Sequence, residues 1–214
     1  MTSMSATDWD DRYRDTDLVW SATPNRWVAQ ETELLAPGRA LDMACGEGRN
    51  SIFLAQQGWG VTGVDFSGEA IAKSRRLALA QQPPVTVDWR CSDATRFAEP
   101  SSYDLAMLVY LQLPAPQRRL AIRAAWQSLR SGGVLLVIAH HSDNLASGVG
   151  GPQDPAVLYT QDDVLTDLTD VGTHYTTQRA ARVERAVEGQ DRPALDTLVR
   201  VAKPDPIHPE RTHP

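Results

Sequence analysis

The stretch "ALDMACGEGRNS", residues 40–51, decides the fold, because an apolar run ends there in a glycine-containing turn that precedes a helix-like segment. In open α/β sheets a ligand binds beyond the carboxyl end of such a strand. Gly46 and Gly48 can adopt positive φ and allow the backbone to approach a ligand closely. Free N–H groups at the start of the next helix favour a negatively charged group. The stretch therefore predicts a nucleotide-type binding turn.

Strand-like and helix-like patterns alternate on the carboxyl side of this turn. We predict strands at 39–43, 60–65, 85–91, 103–110 and 132–141, and helices at 48–57, 68–82, 114–130 and 160–170. This alternation is typical of parallel strands joined by right-handed helical crossovers. Two further strand-like runs, near 173–187 and 194–203, have no helix between them, so they must either pair antiparallel or separate, and we expect an antiparallel strand at the sheet edge. The predicted fold class is α/β, a single doubly wound, mostly parallel seven-stranded sheet with an antiparallel edge strand.

The two ends of the chain differ from this pattern. Residues 1–22 carry three aromatic residues without strand or helix periodicity, and we expect them to form an N-terminal lid segment. Thr23-Pro24 is predicted to begin a helix, since a capping hydroxyl precedes a proline at the first helical position. The domain is then expected at 23–203, with a flexible tail at 204–214.

Composition narrows the partners that we expect. A net charge of −6 and a pI near 5.3 disfavour nucleic acid. The sequence has neither a signal-peptide pattern nor an apolar run of about 20 residues, so a cytoplasmic location without a membrane partner is expected. Cys45 and Cys91 lack the spacing of metal ligands, and no metal is expected. The sequence leaves the oligomeric state open.

Two acidic residues bear on the identity of the nucleotide. Asp65 ends the second strand, 23 residues after Asp42, and a carboxylate there can accept both hydroxyls of a ribose. The dinucleotide fingerprint needs a third glycine where this chain has Ser51. Glu47 also lies in the turn, where it would repel a pyrophosphate. A ligand with one carboxylate and a cationic centre, such as S-adenosylmethionine (SAM), fits better.

Three stretches together resemble class I SAM-dependent methyltransferases. They are "LDMACGEGRNSIFLAQQGWGVTGVDFS" at 41–67, "WDDRYRD" at 9–15 continued by "VWSATPNRWV" at 19–28, and "CSDAT" at 91–95. They are similar to the first two cofactor motifs, the N-terminal lid and the third cofactor motif of the small-molecule branch that contains tellurite-resistance and thiopurine-type methyltransferases. The resemblance implies a Rossmann-like methyltransferase fold, SAM as cofactor and a small-molecule methyl acceptor.

The resemblance also implies which residues of the turn bind the cofactor. Ala44, Gly46 and Gly48 would cradle the methionine part, and Asp65 would bind the ribose hydroxyls. Ala44 departs from the family, which often has glycine there. Asn50 is a further candidate, although it fits a plain helix start equally well.

The adenine and methionine ends would be bound by residues at the ends of other strands. Phe66 would lie against the adenine with Ser67 beside it, and Asp93 and Ala94 would hydrogen-bond its edge. Tyr110, after the fourth strand, would approach the methionine end.

The lid aromatics and a histidine pair complete the candidate site. Trp9, Tyr13 and Trp20 would close over cofactor and substrate. His140 and His141 end the fifth strand, and because neighbouring strand residues point oppositely, one of them is expected to face the acceptor as a catalytic base. We expect His141 to be the less buried.

Two other functions remain open at this point, a nicotinamide-dependent oxidoreductase and a non-catalytic SAM-binding regulatory module. The first lacks the third glycine and a Tyr-x-x-x-Lys pair. The second does not explain the large loop at 140–155, which suggests an acceptor pocket. The sequence does not say whether the methyl group goes to sulfur, oxygen or nitrogen, or whether the acceptor is a toxic or xenobiotic compound.

Overall fold

The structure, a computed structural model, describes residues 6–16, 18, 21–170 and 174–205 and places seven strands in one sheet. The strands are β1 (Arg39–Met43), β2 (Gly60–Asp65), β3 (Asp88–Cys91), β4 (Tyr103–Val109), β5 (Leu129–His140), β6 (Thr176–Arg185) and β7 (Ala194–Ala202). The helices are α1 (Ala6–Arg14), α2 (Arg26–Thr32), α3 (Arg49–Gln56), α4 (Gly68–Leu79), α5 (Ala115–Ser128), α6 (Asn144–Ser147) and α7 (Gln161–Asp170).

The strand order is β3-β2-β1-β4-β5-β7-β6, which confirms the predicted fold class. Strands β1 to β5 pair in parallel, and β7 pairs antiparallel with both β5 and the edge strand β6. The antiparallel pairing at the edge was predicted, and the strand that runs against the other six is the inner one, β7. The order reverses between β1 and β4, where Met43 lies opposite both Val64 and Leu108. A ligand site is expected beyond the carboxyl ends of these two strands.

Apolar residues fill both faces of the central strands, which explains why β4 and β5 read as nearly continuous apolar runs. One cluster joins Leu41 to residues of α5 such as Ile122. The other joins Ala40 to residues of α3 such as Leu54. Helices therefore cover both faces, as the alternation of elements predicts.

The start of α2 differs from the prediction. Its N-cap is Asn25, whose Oδ1 accepts hydrogen bonds from the amides of Trp27 at 2.8 Å and Val28 at 3.4 Å. The predicted capping residue, Thr23, instead donates its hydroxyl to Ser21. Asparagine caps a helix as well as threonine does, and its amide oxygen reaches these amides directly.

The N-terminal segment also differs, because α1 occupies Ala6–Arg14 where no helical periodicity is visible in the sequence. Its partner surface is small, so a regular apolar stripe is not needed: Tyr13 is its one buried residue. Trp20 and residues 206–214 lie outside the described residues. Among the helices that the structure describes, none is both long and apolar enough to cross a membrane.

Candidate active site

The turn after β1 has a strained backbone. Ala44, Gly46 and Gly48 have φ values of 58°, 55° and 81°. Positive φ is ordinary for glycine but uncommon for alanine, because its Cβ crowds the backbone. The surrounding contacts must therefore hold Ala44 in this conformation, and such strained positions cluster at functional sites.

Gly48 has a packing role that the sequence did not reveal. A Cβ on Gly48 would overlap the Trp89 ring and lie 2.9 Å from Ser74 Cβ. Gly48 is also the N-cap of α3. The space at its α-carbon is thus filled by the protein itself, and the glycine is required by this packing whether or not its backbone contacts a ligand.

Asp65 connects the end of β2 to the turn after β1. Its Oδ2 accepts the amide of Gly46 at 2.9 Å, and its Oδ1 accepts the amide of Ser67 at the same distance. Only 5% of the residue is exposed, and burial raises the pKa of the carboxyl. The structure therefore brings Asp65 and Gly46 together, as a shared binding site requires.

Asp42 lies under the turn and is bound to the helix that follows it. Its Oδ2 accepts the Ser51 hydroxyl at 2.7 Å, and burial raises the pKa of Asp42 to about 6. Ser51 itself is fully buried and packs against Gly63, where a Cβ would lie 3.2 Å from the serine Oγ. Gly63 on β2 thus leaves room both for Ser51 and for the Trp89 ring, which lies 2.6 Å from the same Cβ position.

Glu47 is paired with Lys73, so its charge repels a pyrophosphate less than the sequence predicts. Its Oε1 lies 3.2 Å from Lys73 Nζ, and both side chains are almost fully buried. Lys73 also donates a hydrogen bond to the carbonyl of Thr16. The glutamate charge is therefore offset by α4 and is not an uncompensated charge in the turn.

Asn50 is used within the protein. Its Oδ1 accepts the amide of Asn25 at 2.9 Å, so the turn is bound to the N-cap residue of α2. This contact supports a structural role for Asn50 at the start of α3.

The residues predicted for the adenine lie at the ends of β2 and β3. Phe66 is 39% exposed, whereas Ser67 is fully buried and accepts the amide of Ala70 as the N-cap of α4. The 91–95 loop lies beside them, because Ser92 donates its amide to the Asp65 carbonyl at 2.9 Å.

Within that loop Asp93 has an internal role. Its Oδ1 accepts both the amide and the hydroxyl of Thr95 at 2.8 Å, and Ala94 is buried. The second oxygen lies 3.8 Å from Arg96. This carboxylate therefore stabilises its own turn in addition to any contact with a ligand.

The predicted lid residues Trp9 and Tyr13 are neighbours on α1, with ring centroids 5.6 Å apart. Asp10, between them, accepts hydrogen bonds from the Ser67 hydroxyl and from the amide of Glu69 at 3.3 Å. Helix α1 thus packs on the N-terminus of α4, next to Asp65.

A buried carboxylate that the sequence analysis missed lies next to Tyr110. Asp196 is fully buried, and its Oδ2 accepts hydrogen bonds from Trp27 Nε1 at 3.0 Å, Tyr110 Oη at 2.9 Å and Arg185 Nε at 2.8 Å. Tyr110, at the end of β4, has a φ of 56° and is one of three non-glycine residues with positive φ in the described part of the chain, with Ala44 and Ser101. A lone acid in the apolar strand "ALDTLVRVA" is the signal that could have identified Asp196.

The two histidines face opposite ways, as the strand geometry predicts. His140 stacks on the Tyr110 ring with centroids 4.7 Å apart, and its Nδ1 lies 3.6 Å from Asp196 Oδ1. His141 accepts the amide of Asp143 at its Nδ1. The prediction that His141 is the less buried is wrong, since the side-chain exposure is 7% for His141 and 14% for His140. Burial lowers the pKa of both imidazoles.

A groove of about 500 Å³ lies elsewhere, between α2 and α3, and includes Pro37 and Trp59. These residues precede β1 and β2, so the groove is at the amino ends of the strands. Because open α/β sheets bind ligands at the opposite edge, the strained turns are the better candidate site.

Comparisons with known proteins find a methyltransferase domain within the chain. Residues 40–133 match the family described as "Methyltransferase domain". The chain is 28% identical over 117 residues to Hemagglutinin 1 of Eikenella corrodens, covering 55% of this chain and 39% of that protein. It is 31% identical over 129 residues to the ubiquinone biosynthesis O-methyltransferase of Pseudomonas aeruginosa, covering 58% and 54%. The chain thus spans about half the length, or less, of these relatives.

The fold likeness extends further along the chain. TehB from Haemophilus influenzae has a TM-score of 0.64 and 17% identity over 92% of this chain and 66% of that one. At this identity the likeness shows the fold alone.

Proposed function

We propose that the chain, whose residues 40–133 match the family described as "Methyltransferase domain", is a class I SAM-dependent methyltransferase that transfers a methyl group from SAM to a sulfur, oxygen or nitrogen atom of a small molecule. One observation carries the proposal. Ala44 and Tyr110 both adopt left-handed backbone conformations at the ends of β1 and β4, the two strands that border the reversal of strand order. Strained non-glycine residues at such a place are a mark of a ligand site.

The residues present fit SAM. The curled backbone from Ala44 to Gly46 offers peptide groups to the methionine part, and Asp65 offers a buried carboxylate to the ribose hydroxyls. Phe66, 39% exposed beside it, offers an apolar face to the adenine. Gly48, Asn50, Ser67 and Asp93 have internal partners, so we assign them to shaping the site first and to ligand contact second.

When bound, SAM supplies a methyl group on a sulfonium whose leaving group is a neutral thioether, and no acid is needed to expel it. What the protein must do is hold the acceptor in line with that methyl group, which can contribute about 7–11 kcal/mol. Tyr110 presents an aromatic ring at the methionine end, and such rings favour a nearby cation. A site that excludes water further favours an anionic nucleophile.

We also propose that residues 1–22 act as a lid on the domain at 23–203. The support is the packing of α1 on α4, through Asp10 and through the bond from Lys73 to the Thr16 carbonyl. A lid of this kind excludes water from the reacting groups. Trp9 and Tyr13 lie on it, and Trp20 would follow them.

The acceptor class and the location are parts of the same proposal. We propose a small-molecule acceptor of the kind handled by the tellurite-resistance and thiopurine-type branch, such as a toxic or xenobiotic compound, and a cytoplasmic protein. The net charge of −6 is the support for excluding nucleic acid.

Calorimetry and a turnover panel test the function. SAM and S-adenosylhomocysteine should bind and NAD should not. Methyl transfer should then appear with at least one acceptor among thiols, phenols and N-heterocycles. Binding of NAD without SAM would favour the oxidoreductase, and binding of SAM without turnover on a broad panel would favour the regulatory module.

A further inference from the structure

We propose that His140 is the proton acceptor of the reaction, that Asp196 is the positioning residue that keeps the proton of the neutral imidazole on Nδ1, and that the methyl acceptor is therefore a hydroxyl group. The inference rests on the proposed methyl transfer and names the acceptor atom within it.

Strand pairing places the two side chains together. His140 on β5 lies directly opposite Asp196 on β7 in the antiparallel ladder, and directly opposite residues project to the same face of a sheet. Asp196 Oδ2 is occupied by three donors, whereas Oδ1 is 3.4 Å from Arg185 Nη2 and 3.6 Å from His140 Nδ1. Oδ1, which can accept a further hydrogen bond, is thus the oxygen that faces the imidazole of His140.

The His140 ring is held in place by its neighbours, and its Nδ1 needs a hydrogen-bond partner. Its ring stacks on Tyr110, and a Cβ on Gly151 would lie 2.9 Å from both Cγ and Nδ1. Nδ1 is buried without a hydrogen-bond partner among the residues that the structure describes. A buried N–H without a partner is unfavourable, so a small approach to Asp196 Oδ1 should complete the bond.

The tautomer decides what the exposed part of the ring can do. With the proton on Nδ1, Nε2 carries a lone pair and can accept a proton. The 14% of the side chain that remains accessible cannot include the buried Nδ1. Because Nδ1 is the buried nitrogen, we assign the proton-accepting role to Nε2.

His141 has the opposite arrangement. Its Nδ1 accepts the amide of Asp143 at 3.0 Å, so the neutral ring carries its proton on Nε2. Neither nitrogen is then free to accept a proton. This distinguishes two adjacent histidines that the sequence alone treats alike.

A proton acceptor is useful for only some nucleophiles. A thiol, with a pKa near 8.5, supplies thiolate near neutral pH, and a neutral nitrogen attacks through a lone pair that it already has. A hydroxyl with a pKa near 10 instead needs its proton removed as it reacts. In the balanced step the acceptor O–H bond breaks and its proton goes to His140 Nε2. The oxygen electron pair forms the bond to the methyl carbon, and the electron pair of the broken S–C bond stays on sulfur as a neutral thioether.

The first test needs no acceptor. Carbon-13 NMR of histidine-labelled wild-type protein, assigned with His140→Gln, reports the tautomer of each neutral ring. We expect the Nδ1–H form for His140 and the Nε2–H form for His141. Free histidine prefers Nε2–H, so finding that form at His140 overturns the proposal even if methyl transfer itself is confirmed.

The second test uses charges of opposite sign around the ring. The groups that face His140 are Asp196 on β7, Arg185 on β6 and Tyr110 after β4; the carboxylate raises the imidazole pKa and the guanidinium lowers it. Asp196→Asn should thus lower the His140 pKa and Arg185→Gln should raise it. The acid limb of the pH–rate profile should therefore move to lower pH in Asp196→Asn and to higher pH in Arg185→Gln. A purely structural role would not move the limb in opposite directions.

The kinetic test uses a phenol panel with His174→Gln, at an exposed histidine before β6, as the matched control. His140→Gln should lower kcat by ~10²–10⁴-fold, the usual effect of losing a general base, with SAM affinity unchanged. His174→Gln should keep kcat and SAM affinity. Undiminished kcat in His140→Gln, or turnover on thiols alone, overturns the inference. A wild-type protein that binds no SAM instead overturns the proposed function.

Discussion

The carboxylate of Asp65 accepts the backbone amide of Gly46 at 2.9 Å, and this contact joins the end of β2 to the turn after β1. The same carboxylate accepts the Ser67 amide, so it organises the backbone as well as offering oxygen atoms to a ribose. The turn and its acidic neighbour therefore form one unit, and a change in Asp65 should affect both ligand binding and local order.

The first prediction concerns the charge at Asp65. Asp65→Asn should weaken SAM binding by at least about tenfold, because hydrogen bonds to a charged acceptor contribute about 1.5–3 kcal/mol. Asp88→Asn, at an exposed carboxylate paired with Arg90, is the matched control and should bind normally. Isothermal titration with SAM measures both. Equal affinity in the two variants would mean that the ribose binds elsewhere.

The second prediction concerns the buried carboxyl of Asp42, whose pKa rises from 3.8 to about 6 in the folded protein. Between these values the folded chain holds a proton that the unfolded chain has released. The free energy of unfolding should therefore fall as pH rises from about 4 to 6, by up to about 3 kcal/mol from this group.

Asp42→Asn removes that dependence and tests it directly. The amide oxygen can still accept the Ser51 hydroxyl, so the variant should be at least as stable as wild type at pH 8. Urea unfolding at a series of pH values gives both curves. Parallel curves between pH 4 and 6 would show that Asp42 titrates normally.

The third prediction separates two glycines. Gly48→Ala should lower the free energy of unfolding by about 2–4 kcal/mol, because its φ is +81° and its Cβ would overlap Trp89. Gly68→Ala, at the first position of α4 with nothing within 4 Å of a Cβ, should raise stability by about 0.5–1 kcal/mol. Denaturant titrations of the two variants measure both changes in the free energy of unfolding. Similar changes in both would contradict this packing role of Gly48.

Local pattern was enough to predict the sheet but not the full site. The strand at 60–65 and the turn after β1 follow from apolar runs and glycines that lie close together in the sequence. Asp196 and Trp27 contact each other through a hydrogen bond that spans 169 residues, and no local pattern reports such a pair. The cap at Asn25 was missed because Thr23-Pro24 offered an equally good local signal.

Helix α1 lacks a sequence signal for a similar physical reason. A helix that buries only Tyr13 and binds α4 through polar groups needs no apolar stripe, so periodicity could not reveal it. The residues of α4 that bind α1 are more than 50 positions away in the sequence and come close to it only in the folded chain.

The last prediction concerns this helix as a lid. Asp10 accepts hydrogen bonds from Ser67 and Glu69 at the N-terminus of α4, where a carboxylate is also favoured by the helix dipole. Asp10→Ala should thus release α1 from α4, whereas Asp11→Ala, which loses only an exposed pair with Arg14, should not.

Limited proteolysis and SAM titration measure the release. Cleavage at residues 15–17 should be faster in Asp10→Ala than in Asp11→Ala, and SAM should slow it in the wild type. SAM affinity and turnover should fall in Asp10→Ala alone, and deletion of residues 1–21 should nearly abolish turnover while the domain stays folded. Full activity of the truncated protein, with cleavage rates that SAM does not change, would reduce α1 to surface packing.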